Sequence, residues 1–516
     1  MTRLPCFALV AILLLTGCTT NSSKLLRVRS LANPIDPAIS NSSNGDVVGL
    51  ERTGAMSPVG ALSILVVNGI GWTQQEGSEH FGDGLTKAIN NAYSDKSSPF
   101  PTTGACPLSN LRNTRASPNS VPNGGLFIEH SGETRLFSTD DPKGRAYSTQ
   151  IACLDKVVAS ATGGRPVFIY RLHWDDALWN AYQWPHLGYD DPFPRNDDGR
   201  PYSHPGYEDI DALRASENSR LKNALVTYGL SDATMYIGPV GHLIQEAVRS
   251  AICAVLSESS KQSSYFDDID SALQRLAFRP SKSAQRASMP ALGERDLCKP
   301  LTKRADVAFS IVTHSLGSRA VFDVLTGGMT AQLAENLNAA SLQELEVFML
   351  SNQIPLIGIG KLHLGGEEAQ IDTRKRLHRK LRFVAVSEIN DILTYELVPY
   401  FEHLYFLRCR GKDSNINYIL PPEDCTESES LEYSQRLADF KSDSVARAKY
   451  IDELGFNIID ARVAFAPQLL APFTPNFLDP LAAHSGYLTD KSVQKLIFCG
   501  TRNGEIRSSG EGCKAR

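Results

Sequence analysis

The sequence predicts an α/β fold: a mostly parallel central sheet with helices on both faces and two loop-rich insertions. Three observations predict it. Short, β-branched apolar runs recur along the chain, and helical patterns lie between them. The runs are continuously apolar rather than alternating, as expected of strands buried on both faces.

The first run is Leu62–Val67, which ends in Asn68-Gly69-Ile70-Gly71. Val167–Leu172, Val307–Val312, Leu345–Leu350, Leu381–Val386 and, roughly, Phe456–Phe465 follow. Between the second and third runs, Val240, Leu243, Ile244, Ala247, Val248, Ala251, Ile252 and Val255 repeat at helical spacing. Ala320, Val321, Val324 and Leu325 do the same after the third. Residues 95–144 are rich in Ser, Pro, Asn and Gly, and residues 175–231 are polar and aromatic, with Trp179, Tyr182, Trp184 and Tyr189. Both read as insertions, either substrate-contacting loops or plain decoration. No internal repeat is present. Residues 59–500 form the expected domain and 501–516 a tail.

The chain has 516 residues, 42% hydrophobic and 21% charged, with a formal net charge of −5. That balance lacks the basic surface a nucleic-acid partner requires. After the N-terminus no segment is apolar over 18 residues, so no spanning helix is expected.

The N-terminus reads as a processing signal. Arg3 supplies a positive start, and Phe7–Leu15 is an apolar run too short to span a bilayer. It ends in Leu15-Thr16-Gly17-Cys18. This resembles the lipobox of bacterial lipoproteins, which implies cleavage after residue 17, lipidation of Cys18 and a membrane partner reached through the acyl chains. The alternative is a plain secretory signal with an incidental Cys18. In that family a non-acidic residue after the Cys, here Thr19, implies the outer membrane. Residues 18–58, rich in Ser and Asn to about Gly54, read as a flexible tether.

Ten cysteines are present. Cys6 leaves with the signal and Cys18 carries lipid, which leaves an even number in an exported chain and so suggests disulfides. Neighbour pairing would join 106–153, 253–298, 409–425 and 499–513, although many other connectivities are open. No CxxC or Cys/His cluster points to zinc, and no metal or organic cofactor is expected.

The chemistry-bearing segment follows the third apolar run: Thr313-His314-Ser315-Leu316-Gly317, then a helical pattern. It resembles the nucleophile elbow of the α/β-hydrolases, close to the Ala-His-Ser-Leu-Gly form of many lipases, with Thr313 departing from the usual Gly. In that turn the Ser hydroxyl sits exposed at the tip, and the residues two before and two after it crowd together. The competing reading is a Ser that merely caps a helix. The resemblance implies an acid and then a His further along the chain. Asp391, in Asn390-Asp391-Ile392 beyond Leu381–Val386, fits the acid, with Glu388 as the alternative. His484, on a loop near the C-terminus, fits the base, while His403 reads as a packed or surface residue and His314 as a residue beneath the Ser.

An oxyanion hole is also implied. Its donors would be the backbone N–H of Leu316 and that of Ile70, with Gly69 adjacent, in the loop after Leu62–Val67. The resemblance therefore implies a serine hydrolase, an esterase or lipase acting on an ester or lipid substrate. A peptidase or thioesterase could use the same residues. The alternative from another class is a non-catalytic envelope lipoprotein that binds or scaffolds.

Overall fold

The computed structural model describes residues 23–32, 46–55, 61–69, 102–103, 126–130, 150–160, 166–174, 231–238, 240–260, 291–301, 307–340, 345–361, 381–408, 438, 440–465 and 480–507. The strands in chain order are β1 (Lys24–Ser30), β2 (Leu62–Val67), β3 (Thr102–Thr103), β4 (Leu126–Glu129), β5 (Gln150–Ser160), β6 (Pro166–His173), β7 (Ala291–Gly293), β8 (Ala308–His314), β9 (Leu345–Leu350), β10 (Leu381–Glu388), β11 (Asn457–Ala464), β12 (Thr501–Arg502) and β13 (Glu505–Ile506).

Eleven of them form one sheet in the order β1-β11-β10-β9-β8-β2-β6-β5-β4-β7, with β3 pairing β5 off this path. The run from β11 to β6 is parallel throughout. This is the α/β class read from the apolar runs, and those runs are these six strands. In β2, β8 and β9 nearly every residue is buried.

Side chains alternate between two cores. Leu62, Ile64 and Val66 of β2 face one that also holds Leu50, Val493, Leu496 and Ile497. Leu65 and Val67 face the other, with Leu243, Ala247 and Ala251 of the helix Gly241–Ser259, and with Val321 and Leu325 of Leu316–Thr326. Cys253 on the first of these helices is joined by a disulfide to Cys298. Cys153 and Cys499 are also disulfide-bonded. Cys106, Cys409, Cys425 and Cys513 lie outside the described residues.

The structure corrects the reading of the N-terminal segment. Within residues 18–58, β1 pairs antiparallel with β11, and Val28, Leu31, Val47 and Leu50 are buried. Arg27 pairs with Glu396 and Arg29 with Glu402. Charge on alternate positions is the mark of an edge strand with one wet side, and it hid the strand among polar residues. Parts of two other stretches also belong to regular structure. Within 95–144, β3 and β4 extend the antiparallel side of the sheet. Within the tail, β12 and β13 form a hairpin, and Thr501 N–H donates to Val47 O at 2.8 Å. Residues 175–230, like Cys18, lie outside the described residues. Among the described residues no helix is long and apolar enough to cross a membrane.

One buried carboxylate ties the sheet to a helix. Asp460 on β11 accepts from the N–H groups of Leu397 (2.8 Å) and Val398 (2.7 Å), at the start of Leu397–Arg408. Burial pushes its carboxyl up to about 7, against the pull of those two donors. An unfolded Asp titrates near 3.8, so between about pH 4 and 7 the folded chain holds a proton that the unfolded chain has lost. Its contribution to stability is therefore full below that window and lost as pH rises through it. Asp460→Asn should remove this slope. The difference in unfolding free energy between wild type and variant, measured by denaturant titration, is expected to change by up to a few kcal/mol between pH 5 and 8. A pH-independent difference would contradict it.

Candidate active site

In a parallel sheet the C-terminal ends of the strands share one edge, and side chains just beyond them converge there. Beyond β2 come Asn68 and Gly69; beyond β8, Ser315; beyond β9, Ser351 and Gln353; beyond β10, Asp391.

The turn at Ser315 is sharp because its backbone leaves the strand at φ 54°, ψ −129° and the helix Leu316–Thr326 starts at once. Few non-Gly residues adopt a positive φ, so the neighbours must hold it there. They do so from both sides. Ser315 N–H donates to Leu350 O at 2.9 Å. On the other side a Cβ on Gly317 would lie 2.5 Å from Val67 O, and one on Gly69 would lie 2.6 Å from both His314 O and Leu316 N. Both positions therefore require glycine. Thr313, two residues before Ser315, is tied to the neighbouring strand. Its hydroxyl donates to Phe348 O at 3.1 Å and pairs with Ser318 Oγ at 2.9 Å.

The Ser315 side chain makes no helix-capping hydrogen bond. Its Oγ instead lies 3.1 Å from His484 Nε2 and accepts from Gln353 Nε2 at 3.0 Å. His484 Nδ1 lies 3.1 Å from Asp391 Oδ1 and 3.3 Å from Oδ2. All four side chains are buried. Ser315, His484 and Asp391 are thus brought together from three distant parts of the chain. His484 sits in the last turn of a short helix, Pro480–Ser485, rather than on a loop. His403 is exposed on Leu397–Arg408.

Asp391 is the acid that meets the imidazole. Its Oδ2 accepts from Tyr487 Oη at 2.9 Å and Ser351 Oγ at 2.5 Å, and its Oδ1 from Leu393 N–H at 3.0 Å. Burial opposes its charge, but the bonds from His484, Ser351 and Leu393 outweigh burial and hold the carboxyl below its ordinary value. Glu388 holds the loop instead. It accepts from the backbone and side chain of Asn390 and from Phe465 N–H at 3.3 Å.

His314 lies against His484, their ring centroids 5.0 Å apart. Its Nε2–H donates to His484 O at 2.8 Å. Burial first, then the nearby His484, depress its pKa to about 3, so it stays neutral and keeps that donor.

The loop after β2, expected to supply oxyanion donors, differs in part from that expectation. Gly69 N–H is taken by Asn68 Oδ1 at 2.9 Å, and Trp174 Nε1–H donates to Asn68 O at 2.9 Å. Gly69 thus packs against the backbone of His314 and Leu316, and its own N–H is already engaged. Ile70 lies outside the described residues. Gln353, which no motif marked, adds an amide donor at the nucleophile's oxygen. The chemistry this arrangement can perform is abstraction of the Ser315 proton by His484, with negative charge received by nearby N–H donors. Among the described residues no cluster of His, Cys, Asp or Glu could hold a metal ion. No protein-family model, curated protein or solved structure matches the chain.

Because Gly317 abuts backbone that cannot retreat, Gly317→Ala should destabilise the fold by about 1–3 kcal/mol, as overpacking does. Chemical denaturation would measure it, and a neutral substitution would contradict the close approach.

Proposed function

We propose that this chain is a serine hydrolase of the α/β-hydrolase type, cleaving carboxylic esters at the cell envelope through an acyl-enzyme. One observation carries the reading: a single imidazole, His484, reaches a strained, buried serine with one nitrogen and a buried carboxylate with the other. A serine that only capped a helix would need neither the strain nor the imidazole. Further support comes from the chain order Gly69, Ser315, Asp391, His484, and from the position of β8 between β2 and β9 in the parallel run.

The mechanism follows from the hydrogen bonds. With Nδ1 protonated, the Nε2 lone pair faces the Ser315 hydroxyl and takes its proton as Oγ attacks the ester carbonyl. Asp391 stabilises the imidazolium. The Leu316 N–H and the Gln353 amide offer donors to the developing oxyanion. His484 then protonates the leaving alcohol, and the same base activates the water that releases the acid.

The lipobox-like Leu15-Thr16-Gly17-Cys18 supports lipid anchoring to the membrane, and hence an ester or lipid of the envelope as substrate.

Two experiments test this. A fluorophosphonate probe should label the full-length chain, and Ser315→Ala should abolish labelling; an unlabelled, folded wild type would refute the hydrolase reading. Asp391→Asn should lower kcat on a short p-nitrophenyl ester by about a thousandfold or more, as loss of a triad acid does. Glu388→Gln should retain most of it. The reverse ranking would move the acid to Glu388.

A further inference from the structure

We propose that Ser351 is a fourth member of the hydrogen-bonded chain Ser315–His484–Asp391, a positioning residue whose hydroxyl bridges the Asp391 carboxylate and the His484 imidazole. The inference rests on the hydrolase reading and deepens it.

Ser351 is the first residue beyond β9 and is fully buried. Its φ is 53°, and among the described residues only Ser315 and Asn503 join it as non-glycines with positive φ. Such a backbone is costly and persists where the surroundings impose it. Here the Ser351 N–H donates to Val386 O at 3.1 Å, which ties the turn to β10. The turn delivers the hydroxyl to a point 2.5 Å from Asp391 Oδ2 and 2.7 Å from His484 Nδ1.

The proton positions follow from what each atom can do. Tyr487 Oη accepts from Glu388 N–H at 2.8 Å, so its own proton goes to Asp391 Oδ2. An ionised carboxylate only accepts, so the single Ser351 proton also goes to Oδ2. The serine oxygen then presents a lone pair to His484 Nδ1, and Nδ1 must carry the hydrogen. That hydrogen lies between Ser351 Oγ and Asp391 Oδ1, and the shorter separation, 2.7 Å against 3.1 Å, is to the serine. Ser351 therefore selects the tautomer in which Nε2 is free to act as base. It also gives the carboxylate a donor that keeps it ionised in a buried place. When the Ser315 proton reaches Nε2, the Nδ1–H stays where it was and no further proton moves.

The test compares Ser351→Ala and Ser351→Gly in the full-length chain. Both remove the hydroxyl, and only glycine also relieves the backbone. The readouts are the rate of fluorophosphonate labelling at Ser315, kcat and KM on p-nitrophenyl butyrate, and the low-field proton resonance of His484 Nδ1–H, assigned by its loss in His484→Ala. Both variants should label more slowly and lose kcat by about ten- to a hundredfold, the scale of one hydrogen bond to a charged group, with KM unchanged. The Nδ1–H resonance should shift in both. Wild-type rates with an unmoved resonance would overturn the bridge. So would a defect in the alanine variant that glycine restores, which would trace the effect to the backbone. A wild type that never labels, but whose resonance still shifts on Ser351→Ala, would leave the bridge standing and remove the hydrolase reading instead.

Discussion

The rest of the site depends on one buried charge, the carboxylate of Asp391. Removing an ionised carboxylate from water costs several kcal/mol unless donors replace the lost solvent. Here the donors come from separate parts of the chain: Ser351 after β9, Leu393 from the acid loop itself, His484 from a short helix and Tyr487 just after it. Tyr487 also receives the N–H of Glu388, at the end of β10. The carboxylate is thus where the C-terminal segment is fastened to the sheet. His484 is held where it satisfies the Asp391 carboxylate.

The second constraint is steric. The end of β2 and the turn at Ser315 come so close that neither Gly69 nor Gly317 has room for a Cβ. This contact holds Ser315 in a backbone conformation it would otherwise leave, so strain at Ser315 is balanced by the packing of two parallel strands. Parallel pairing matters here because it brings the ends of β2, β8, β9 and β10 to the same edge. A loop beyond each can then reach the same few ångströms. The hydrogen bond from Gln353 to Ser315 and that from Ser351 to Asp391 both arise from the segment after β9, wedged between Ser315 and Asp391.

The parallel strands were legible in the sequence because burial on both faces leaves continuous apolar runs, as in Leu345–Leu350. The strand β1 was not, since Arg27 and Arg29 pair with Glu396 and Glu402 on distant segments that local composition cannot reveal. Ser315, Asp391 and His484 were legible through a turn motif, a residue type and a chain order. Asp391 stood beside Glu388 as an alternative because both follow the same strand within a few residues, and only the turn between them decides which faces the imidazole. Ser351 and Gln353 carry no such mark. A serine after a strand is commonplace, and what singles it out is a positive φ and two distances, properties that exist only once β9 lies next to β10. Gly69 was read as a neighbour of the donor Ile70 because glycine lets the backbone approach a substrate; the side chain of Asn68 accepts from its N–H.

The N-terminal segment changes how the proposed anchor would act. Residues 47–50 are clasped to the C-terminal helix Lys491–Cys499 and the residues after it: Val47 N–H donates to Thr501 Oγ1 at 2.8 Å, and Gly49 and Gly500 pack backbone to backbone. That helix follows the His484 segment and buries Val493, Leu496 and Ile497 against the sheet. The N-terminal segment is therefore packed against the segment that carries His484. On the lipid-anchored reading, Cys18 stands only six residues before Lys24, where β1 begins. Fully extended, six residues span at most about 20 Å. Such an anchor holds the β1 edge of the sheet close to the bilayer surface instead of letting the domain range on a long leash. The arginines of that edge, partly engaged by Glu396 and Glu402, would then lie within a few Debye lengths of the headgroups. An envelope ester would be met by an enzyme of fixed height, and proximity to the membrane would follow from the fold as well as from the lipid.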